Sequence, residues 1–182
     1  MDTSARVDRL YDLHEIRQLA HRYALAMDSR DLATMESLFV ADLPCGELMM
    51  VEDNWADLTI GEFFRLVMKS FGKTVHFVGN HVIDVDGAEA TGVVYCRAEH
   101  EWRGQWVVVA MAYMDRYQRV DDAWRFRRRE PMAWWGGDVL ERPSGPDWMT
   151  WRGGASLQKL PEHWATWSQF WDEVESPQGG SA

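Results

Sequence analysis

Four consecutive segments rich in β-branched and aromatic residues, with only short turns between them, constrain the fold of this chain more than any other feature. The segments are His76–Val85, Glu89–Trp102, Gln105–Val120 and Ala123–Trp135, and the turn dipeptides are Asp86-Gly87, Arg103-Gly104 and Asp121-Asp122. Turns of this length join antiparallel neighbours. The sequence therefore predicts a meander of long strands in one sheet.

The chain before these strands has helical periodicity. From Asp8 to Met27, apolar residues recur at steps of three and four, which predicts an amphipathic helix. Asp31 follows as a candidate cap for a second, shorter helix that ends near Leu38. Three further elements are predicted: a short strand at Gly46–Glu52, a helix at Thr59–Phe71 and a short helix at Pro161–Val174.

Helices followed by a strand meander predict an α+β domain, in which a curved sheet packs against helices on one face and encloses a cavity. The chain has 182 residues and no Pro/Gly/Ser-rich linker, so we expect a single domain over 1–182. Its core is predicted at 8–137, with a C-terminal extension at 138–182. An apolar content of 46% supplies enough material for a large core.

Charge and composition argue against several classes of protein. The formal charge of −10, without a basic stripe, disfavours nucleic acid as a partner. The first residues lack an apolar signal core and no apolar run approaches the ~20 residues of a bilayer span, so a cytoplasmic protein with no membrane contact is expected. Cys45 and Cys96 are too few for a disulfide framework and are expected to be reduced and buried. The six histidines lack metal-ligand spacing, so no metal is expected.

Asp28 and His76 are the first candidates for chemistry. Asp28 ends the first predicted helix, where its bland interpretation is a C-terminal turn residue or cap. His76 lies at a strand entrance, where an isolated histidine is more often structural. Together they indicate more, because a carboxylate that holds an imidazole in one tautomer makes it a better base at neutral pH.

Strand alternation adds a second histidine and a set of apolar neighbours. His100 shares a strand face with Val94, Cys96 and Ala98. It is therefore either a hydrogen-bonded core residue or a second acid/base group. On the next strand both faces are apolar, so one is predicted to line a pocket and the other to contact subunits. The candidate pocket residues there are Val109, Met111 and Tyr113.

Three further side chains are weaker candidates. Tyr23, five residues before Asp28, could polarise a carbonyl or be an ordinary core aromatic. Arg129 belongs to an arginine-rich strand and is the one chosen to reach an anionic intermediate. The tryptophans either cap the pocket or bury the open end of the domain, and Trp135 is chosen as a substrate contact. The cluster comprises Trp134, Trp135, Trp148 and Trp151.

Several stretches of the chain resemble the SnoaL-like branch of the nuclear transport factor 2-like superfamily. They are LHEIRQLAHRYALAMDSRDLATMESLF, VHFVGNHVIDVDG, ATGVVYCRAEH and YMDRYQRVDDAWRF, and the resemblance spans residues 8–135. Asp28, His76 and His100 are similar to the acid/base set of the scytalone dehydratases. The pair Asp28 and His76 also resembles the dyad of hexachlorocyclohexane dehydrochlorinase, and with Tyr23 it resembles the set of bile acid 7α-dehydratase.

The resemblance implies a cone-shaped α+β barrel, often a homotrimer, that removes a proton without metal or cofactor. Met111 and Tyr113 stand where scytalone dehydratase has small polar groups, which implies a different substrate. The superfamily also includes isomerases, cyclases, hydrolases and members without catalytic activity.

The hypothesis is a cofactor-independent lyase of the dehydratase type. His76, oriented by Asp28, removes a proton from a small hydrophobic ring compound that is polyketide-, steroid- or aromatic-like, and His100 or Tyr23 assists the departure of water. An isomerase or cyclase would use the same proton abstraction. A non-catalytic small subunit or binding module is the alternative from another class. A homo-oligomer is expected, with a trimer favoured over a dimer.

Overall fold

The computed structural model describes residues 2–140, 158–160 and 163–175. The helices are α1 (Thr3–Ser29), α2 (Leu32–Ser37), α3 (Cys45–Leu48), α4 (Ile60–Ser70) and α5 (Ala165–Glu175), with a 3₁₀ turn at Asp53–Trp55. The strands are β1 (Thr74–Asp86), β2 (Glu89–Trp102), β3 (Gln105–Val120), β4 (Ala123–Asp138) and β5 (Gln158–Lys159). The sheet has the order β1-β2-β3-β4-β5, antiparallel except for the parallel pair of β4 and β5. The predicted α+β meander is confirmed.

Helix α1 is the longest helix and lies against the inner face of the sheet. The Asp2 side chain caps it by accepting a hydrogen bond from the Ala5 amide at 2.8 Å. Its buried face presents Ile16, Tyr23 and Met27 to the core, as the periodicity predicts. Burying this apolar stripe against the sheet supplies most of its stability, because propensity alone contributes little. The helix ends just after Asp28, which fixes the position of that carboxylate.

The turns between the long strands require left-handed backbone conformations. Gly87 (φ 61°) and Gly104 (φ 81°) supply them in the first two turns, and Asp121 and Asp122 supply them in the third (φ 47° and 59°). Such dihedrals match the twist of two-residue hairpins. Alternate residues then face the helices along β2 and β3, as the sequence predicts.

Strand β1 contains a bulge that the sequence does not reveal. Val78 pairs with Cys96, but the next paired residue is His81, which lies opposite Val94. Gly79 and Asn80 are the intervening residues and both are exposed. His81 lies five residues after His76, and in a regular strand this odd spacing would place the two side chains on opposite faces. The extra residue of the bulge offsets the spacing, so that His76 and His81 both face the helices.

The predicted strand at Gly46–Glu52 is wrong. Its first part is the single helical turn α3, and Met49 makes only an isolated parallel bridge to Arg129. Cys45 and Leu48 are fully buried at the i, i+3 spacing of a helix. Because the apolar run is so short, its periodicity does not separate helix from strand.

The C-terminal segment covers part of the outer face of the sheet. Leu160 packs with Ala112 and Met132, and Trp164 packs on Trp134 with ring centroids 5.5 Å apart. The predicted C-terminal helix is confirmed over α5, which begins at Ala165; its predicted first residue lies outside the described residues. This packing lies on the face opposite to α1.

Candidate active site

Asp28 and His76 form a hydrogen-bonded pair at the junction of α1 and β1. The Asp28 Oδ1 atom lies 2.7 Å from Nδ1 of His76, and Asp28 Oδ2 accepts the backbone amide of His76 at 2.9 Å. The His76 side chain is 3% exposed and that of Asp28 is 22% exposed. The helix terminus and the strand entrance therefore bring together the two residues that the sequence pairs.

The protonation of this pair follows from its hydrogen bonds. Burial by itself would raise the pKa of the Asp28 carboxyl, but hydrogen bonds from His76 and Thr74, with the charge of His76, outweigh it and lower the pKa. An ionised carboxylate only accepts, so Nδ1 of His76 carries the hydrogen. In the neutral imidazole the lone pair is then on Nε2, which is the arrangement of a general base.

His100 lies beside His76 on the neighbouring strand. The two imidazole centroids are 5.3 Å apart, nearly perpendicular at 78°. The His100 ring also stacks on Phe71 with a centroid separation of 4.7 Å. His100 is 4% exposed and lies within the inner face, as its strand position predicts. The structure thus brings both histidines to one place.

A buried ion pair occupies the inner face deeper in the core. Arg129 donates to Oδ1 and Oδ2 of Asp115 at 2.9 and 2.7 Å, and both side chains are at most 1% exposed. Three aromatic rings, those of Tyr23, Tyr113 and Phe126, lie 4.1–4.3 Å from the guanidinium carbon. Burial disfavours the cation, but Asp115 overcomes this and raises the pKa of Arg129. The Nη1 atom is buried without a hydrogen-bond partner.

Tyr23 and Cys96 are neutral donors in this region. Burial raises the pKa of Tyr23 to about 12 and that of Cys96 to about 12. Burial also raises the pKa of Tyr113 well above its ordinary value. Tyr23 packs edge-on against Tyr113 with centroids 5.8 Å apart. These groups can donate hydrogen bonds at neutral pH but do not act as anionic nucleophiles.

A chain of hydrogen bonds extends the ion pair toward β1. The Tyr117 hydroxyl donates to Asp115 Oδ2 at 2.8 Å and lies 3.0 Å from Nε2 of His81. Since the single hydroxyl hydrogen points to Asp115, His81 must donate from Nε2. Burial lowers the pKa of His81 to about 4, so the ring is neutral and its Nδ1 carries no hydrogen.

The inner face holds most of the predicted site residues. Those buried on it are Tyr23, Cys96, His100, Val109, Met111, Tyr113 and Arg129, together with the partly buried pair Asp28 and His76. Trp135 is the exception, because it pairs with Ala110, whose neighbours in β3 face inward while it faces outward. Register therefore places Trp135 on the outer face, away from the dyad.

Trp134 also lies on the outer face, where its ring contacts Tyr95 at 4.9 Å. These two tryptophans therefore do not cap the site. Trp148 and Trp151 lie outside the described residues.

The sequence interpretation omits four residues that support this arrangement. Thr74 precedes His76 by two positions and so shares its strand face. Asp115 and Tyr117 continue the inward row of β3, and an aspartate within such an apolar row is a sequence signal for a buried ion pair. Arg30, which donates a hydrogen bond to the Thr74 hydroxyl, has no sequence signal of this kind.

No group of three or more His, Cys, Asp or Glu side chains within residues 2–140, 158–160 and 163–175 is placed to hold a metal ion. Across the same described ranges, no helix combines the length and apolarity of a membrane span.

Comparison with known proteins identifies relatives of the greater part of this chain. The SnoaL-like domain matches residues 8–130. The uncharacterized proteins Rv2910c of Mycobacterium tuberculosis and Mb2934c of Mycobacterium bovis are both 27% identical over 126 residues, which is 68% of this chain and 86% of theirs.

Two solved structures are similar in fold. A candidate scytalone dehydratase from Novosphingobium aromaticivorans has a TM-score of 0.65 and 19% identity, covering 84% of this chain and 95% of its own. The hexachlorocyclohexane dehydrochlorinase LinA-type3 from Novosphingobium barchaimii has a TM-score of 0.64 and 17% identity, and the match covers 78% of this chain and 99% of its own. At these identities the likeness shows the fold. The helices and curved sheet have the cone fold of the nuclear transport factor 2-like superfamily, and the chain belongs to the SnoaL-like domain family.

Proposed function

We propose that this protein is a cofactor-independent lyase of the dehydratase type that acts on a small hydrophobic ring compound. The observation that carries the proposal is the 2.7 Å contact between Asp28 and His76, with the imidazole 3% exposed. A fixed tautomer in a dry environment is what a general base needs at neutral pH. The dehydratase and dehydrochlorinase among the structural neighbours support an elimination.

In the proposed reaction, Nε2 of His76 takes a proton from a carbon next to a carbonyl group. The C–H electron pair forms the new double bond, and the C–O bond to a hydroxyl group on the adjacent carbon breaks. His100 or Tyr23 gives a proton to the departing hydroxyl, which leaves as water. His100 is favoured by its position 5.3 Å from His76. The step as written requires no cofactor.

The proposed substrate contacts come from the inner rows of β2 and β3. Cys96, Val109, Met111 and Tyr113 are all buried there and would present few polar groups to a ligand. Such a surface suits a polyketide-, steroid- or aromatic-like ring. The unpartnered Nη1 of Arg129 is a charged donor suited to an oxyanion. Trp135 is left out of this set because its register directs it outward.

The test is a screen of cyclic β-hydroxyketones by mass spectrometry, followed by variants of the dyad. The His76→Ala and Asp28→Asn variants should lose about 10²–10⁴ in turnover, because a positioned base contributes that factor. His14→Ala, at an exposed histidine of α1, is the matched control and should keep full activity. Unchanged turnover in His76→Ala, with the fold retained by circular dichroism, would reject the proposal.

Product analysis separates the alternatives of the same class. A dehydratase product loses one water, whereas an isomerase or cyclase acting on the same substrates would retain the oxygen. Reaction in deuterium oxide would then place deuterium on the carbon that accepts the returned proton. A non-catalytic subunit would convert none of the compounds and would bind them without change after loss of His76.

A further inference from the structure

Arg30 occupies a backbone conformation that normally favours glycine. It follows α1 with φ 62°, the left-handed position that ends many helices. Its Nη1 donates to the Met27 carbonyl at 2.5 Å and to Oγ1 of Thr74 at 2.9 Å, and its Nη2 donates to the Gly72 carbonyl. The guanidinium therefore joins the end of α1 to the chain that enters β1.

Thr74 connects this cation to the dyad. Its hydroxyl lies 2.9 Å from Oδ1 of Asp28. A guanidinium only donates, so Oγ1 accepts from Arg30, and an ionised carboxylate only accepts, so the hydroxyl hydrogen points to Asp28. The hydrogen bonds therefore run in one direction, from Arg30 through Thr74 to Asp28, which in turn accepts from Nδ1 of His76.

Arg30 holds both ends of the chain around this contact. The carbonyls of Met27, near the end of α1, and of Gly72, just before β1, both accept from its guanidinium. The Thr74 hydroxyl donates to Asp28. Thr74 is 7% exposed, so water competes little.

We propose that Arg30 and Thr74 are positioning residues, which hold the Asp28 carboxylate in the orientation that keeps the hydrogen of His76 on Nδ1. Neither residue contacts substrate in this proposal. Its catalytic consequence rests on the proposed function, but its effect on the dyad exists in the resting protein. The positive φ of Arg30 is then the cost of placing a guanidinium where glycine would serve the backbone better.

The direct test is nitrogen-15 NMR of the histidine rings in the full chain at mildly alkaline pH, with His76 assigned by the His76→Ala spectrum. The wild type should show His76 in the Nδ1–H form with slow exchange of that hydrogen. Thr74→Val and Arg30→Gly should exchange it at least about tenfold faster and mix in the Nε2–H form, because a charge-assisted hydrogen bond is loosened.

Matched variants separate positioning from loss of structure. Arg30→Gly relaxes the backbone at φ 62°, so its thermal midpoint should not fall greatly even though the guanidinium is gone. Thr74→Ser keeps the hydroxyl and should restore the wild-type spectrum. Arg103→Gly makes the same change at another arginine with positive φ (50°), in the turn between β2 and β3, and should leave His76 unchanged.

The two proposals can fail separately. If Thr74→Val and Arg30→Gly fold and keep the wild-type tautomer and exchange rate, the positioning role is overturned while the lyase proposal stands. If those variants change the spectrum but His76→Ala keeps full turnover, the lyase proposal is overturned and the positioning role of Arg30 and Thr74 stands. With a substrate in hand, both variants should lower kcat by roughly tenfold with little change in KM.

Discussion

At the residue scale, the pair of Asp115 and Arg129 is the most demanding feature of the core. Both side chains are buried, and the geometry is bidentate, which is what allows a charge pair to persist without water. The surrounding aromatic rings add cation–π contacts. The pair also holds Arg129 in place for the oxyanion contact proposed above.

Removal of one partner of this pair should be costly. Asp115→Ala leaves an unpaired cation in the core and should lower the free energy of unfolding by about 3–5 kcal/mol, as urea denaturation would measure. Glu47→Gln breaks the exposed pair with Arg127 and should cost below about 1 kcal/mol. Equal losses in the two variants would contradict the buried, unscreened character of the Asp115 pair.

His81 predicts how stability depends on pH. Its pKa is about 4 in the folded protein, mainly because of burial, against 6.5 ordinarily, so the unfolded chain binds its proton first as pH falls. The stability that depends on a neutral His81 ring is therefore fully present above pH 6.5. It is lost as the pH falls from 6.5 to 4. After allowing for the partial exposure of the ring, the loss should be roughly 1–2 kcal/mol.

The His81→Gln variant tests this origin, because glutamine can still donate to Tyr117 but does not titrate. Its urea midpoint should fall less than that of the wild type between pH 7 and pH 4.5. Asp28 does not interfere, because its lowered pKa affects stability only near and below 3.8. Parallel curves for the two proteins would assign the acid sensitivity to other groups.

At the element scale, α4 depends on a reciprocal cap at its first turn. The Thr59 hydroxyl accepts the Glu62 amide at 3.2 Å, and the Glu62 carboxylate accepts the Thr59 amide at 2.9 Å. Thr59→Ala should lower the free energy of unfolding by about 1 kcal/mol, measured with urea. Thr59→Ser keeps the hydroxyl and should keep most of this stability. A loss in Thr59→Ser equal to that in Thr59→Ala would show that the hydroxyl is not the stabilising group.

The elements differ in how far the sequence determines them. The bounds of β2 and β3 agree with the prediction because alternation and turn pairs both mark them. Strand β4 runs three residues beyond the predicted Trp135, because Gly136 and Gly137 suggest a break but pair with Val109 and Val108. A glycine pair marks a turn only when no neighbouring strand continues the ladder.

The candidate site likewise contains residues whose positions the sequence predicts and residues whose positions it does not. Alternation predicts the inward positions of His100 and Tyr113, and the structure has them there. Trp135 is chosen from the tryptophan cluster without an alternation argument, and it faces outward because the register shift between Ala110 and Met111 sets the phase of that part of β4. Sequence patterns do not indicate the role of Arg30, since its partners come from two separate parts of the chain, the end of α1 and the segment that leads into β1.

At the scale of the whole molecule, the outer face of the sheet is unevenly covered. The C-terminal segment packs over β3 and β4, whereas Phe77 and Val82 in β1 are 60% and 67% exposed. Tyr95 in β2 is 39% exposed beside them. Apolar side chains grouped in this way are typical of contact surfaces. We therefore expect self-association through the β1 side of this face.

Light scattering after size-exclusion chromatography tests that expectation. The wild type should elute as a homo-oligomer, with a trimer expected over a dimer, and Phe77→Glu should shift it to the monomer because a charge is then placed in an apolar contact. Leu25→Glu, at a residue of α1 that is 68% exposed, is the control and should leave the mass unchanged. A monomeric wild type would contradict the expectation.

The bulge in β1 has a consequence for how such proteins diversify. Gly79 and Asn80 lie outside the paired register and are exposed, so a gain or loss of residues there would meet little steric resistance. Loss of one of these residues would remove the bulge and leave a regular ladder, in which His81 still lies opposite Val94 and faces inward. The strand can therefore shorten at this point without a change in which of its side chains face the helices, and the contact between Asp28 and His76 would stay in place.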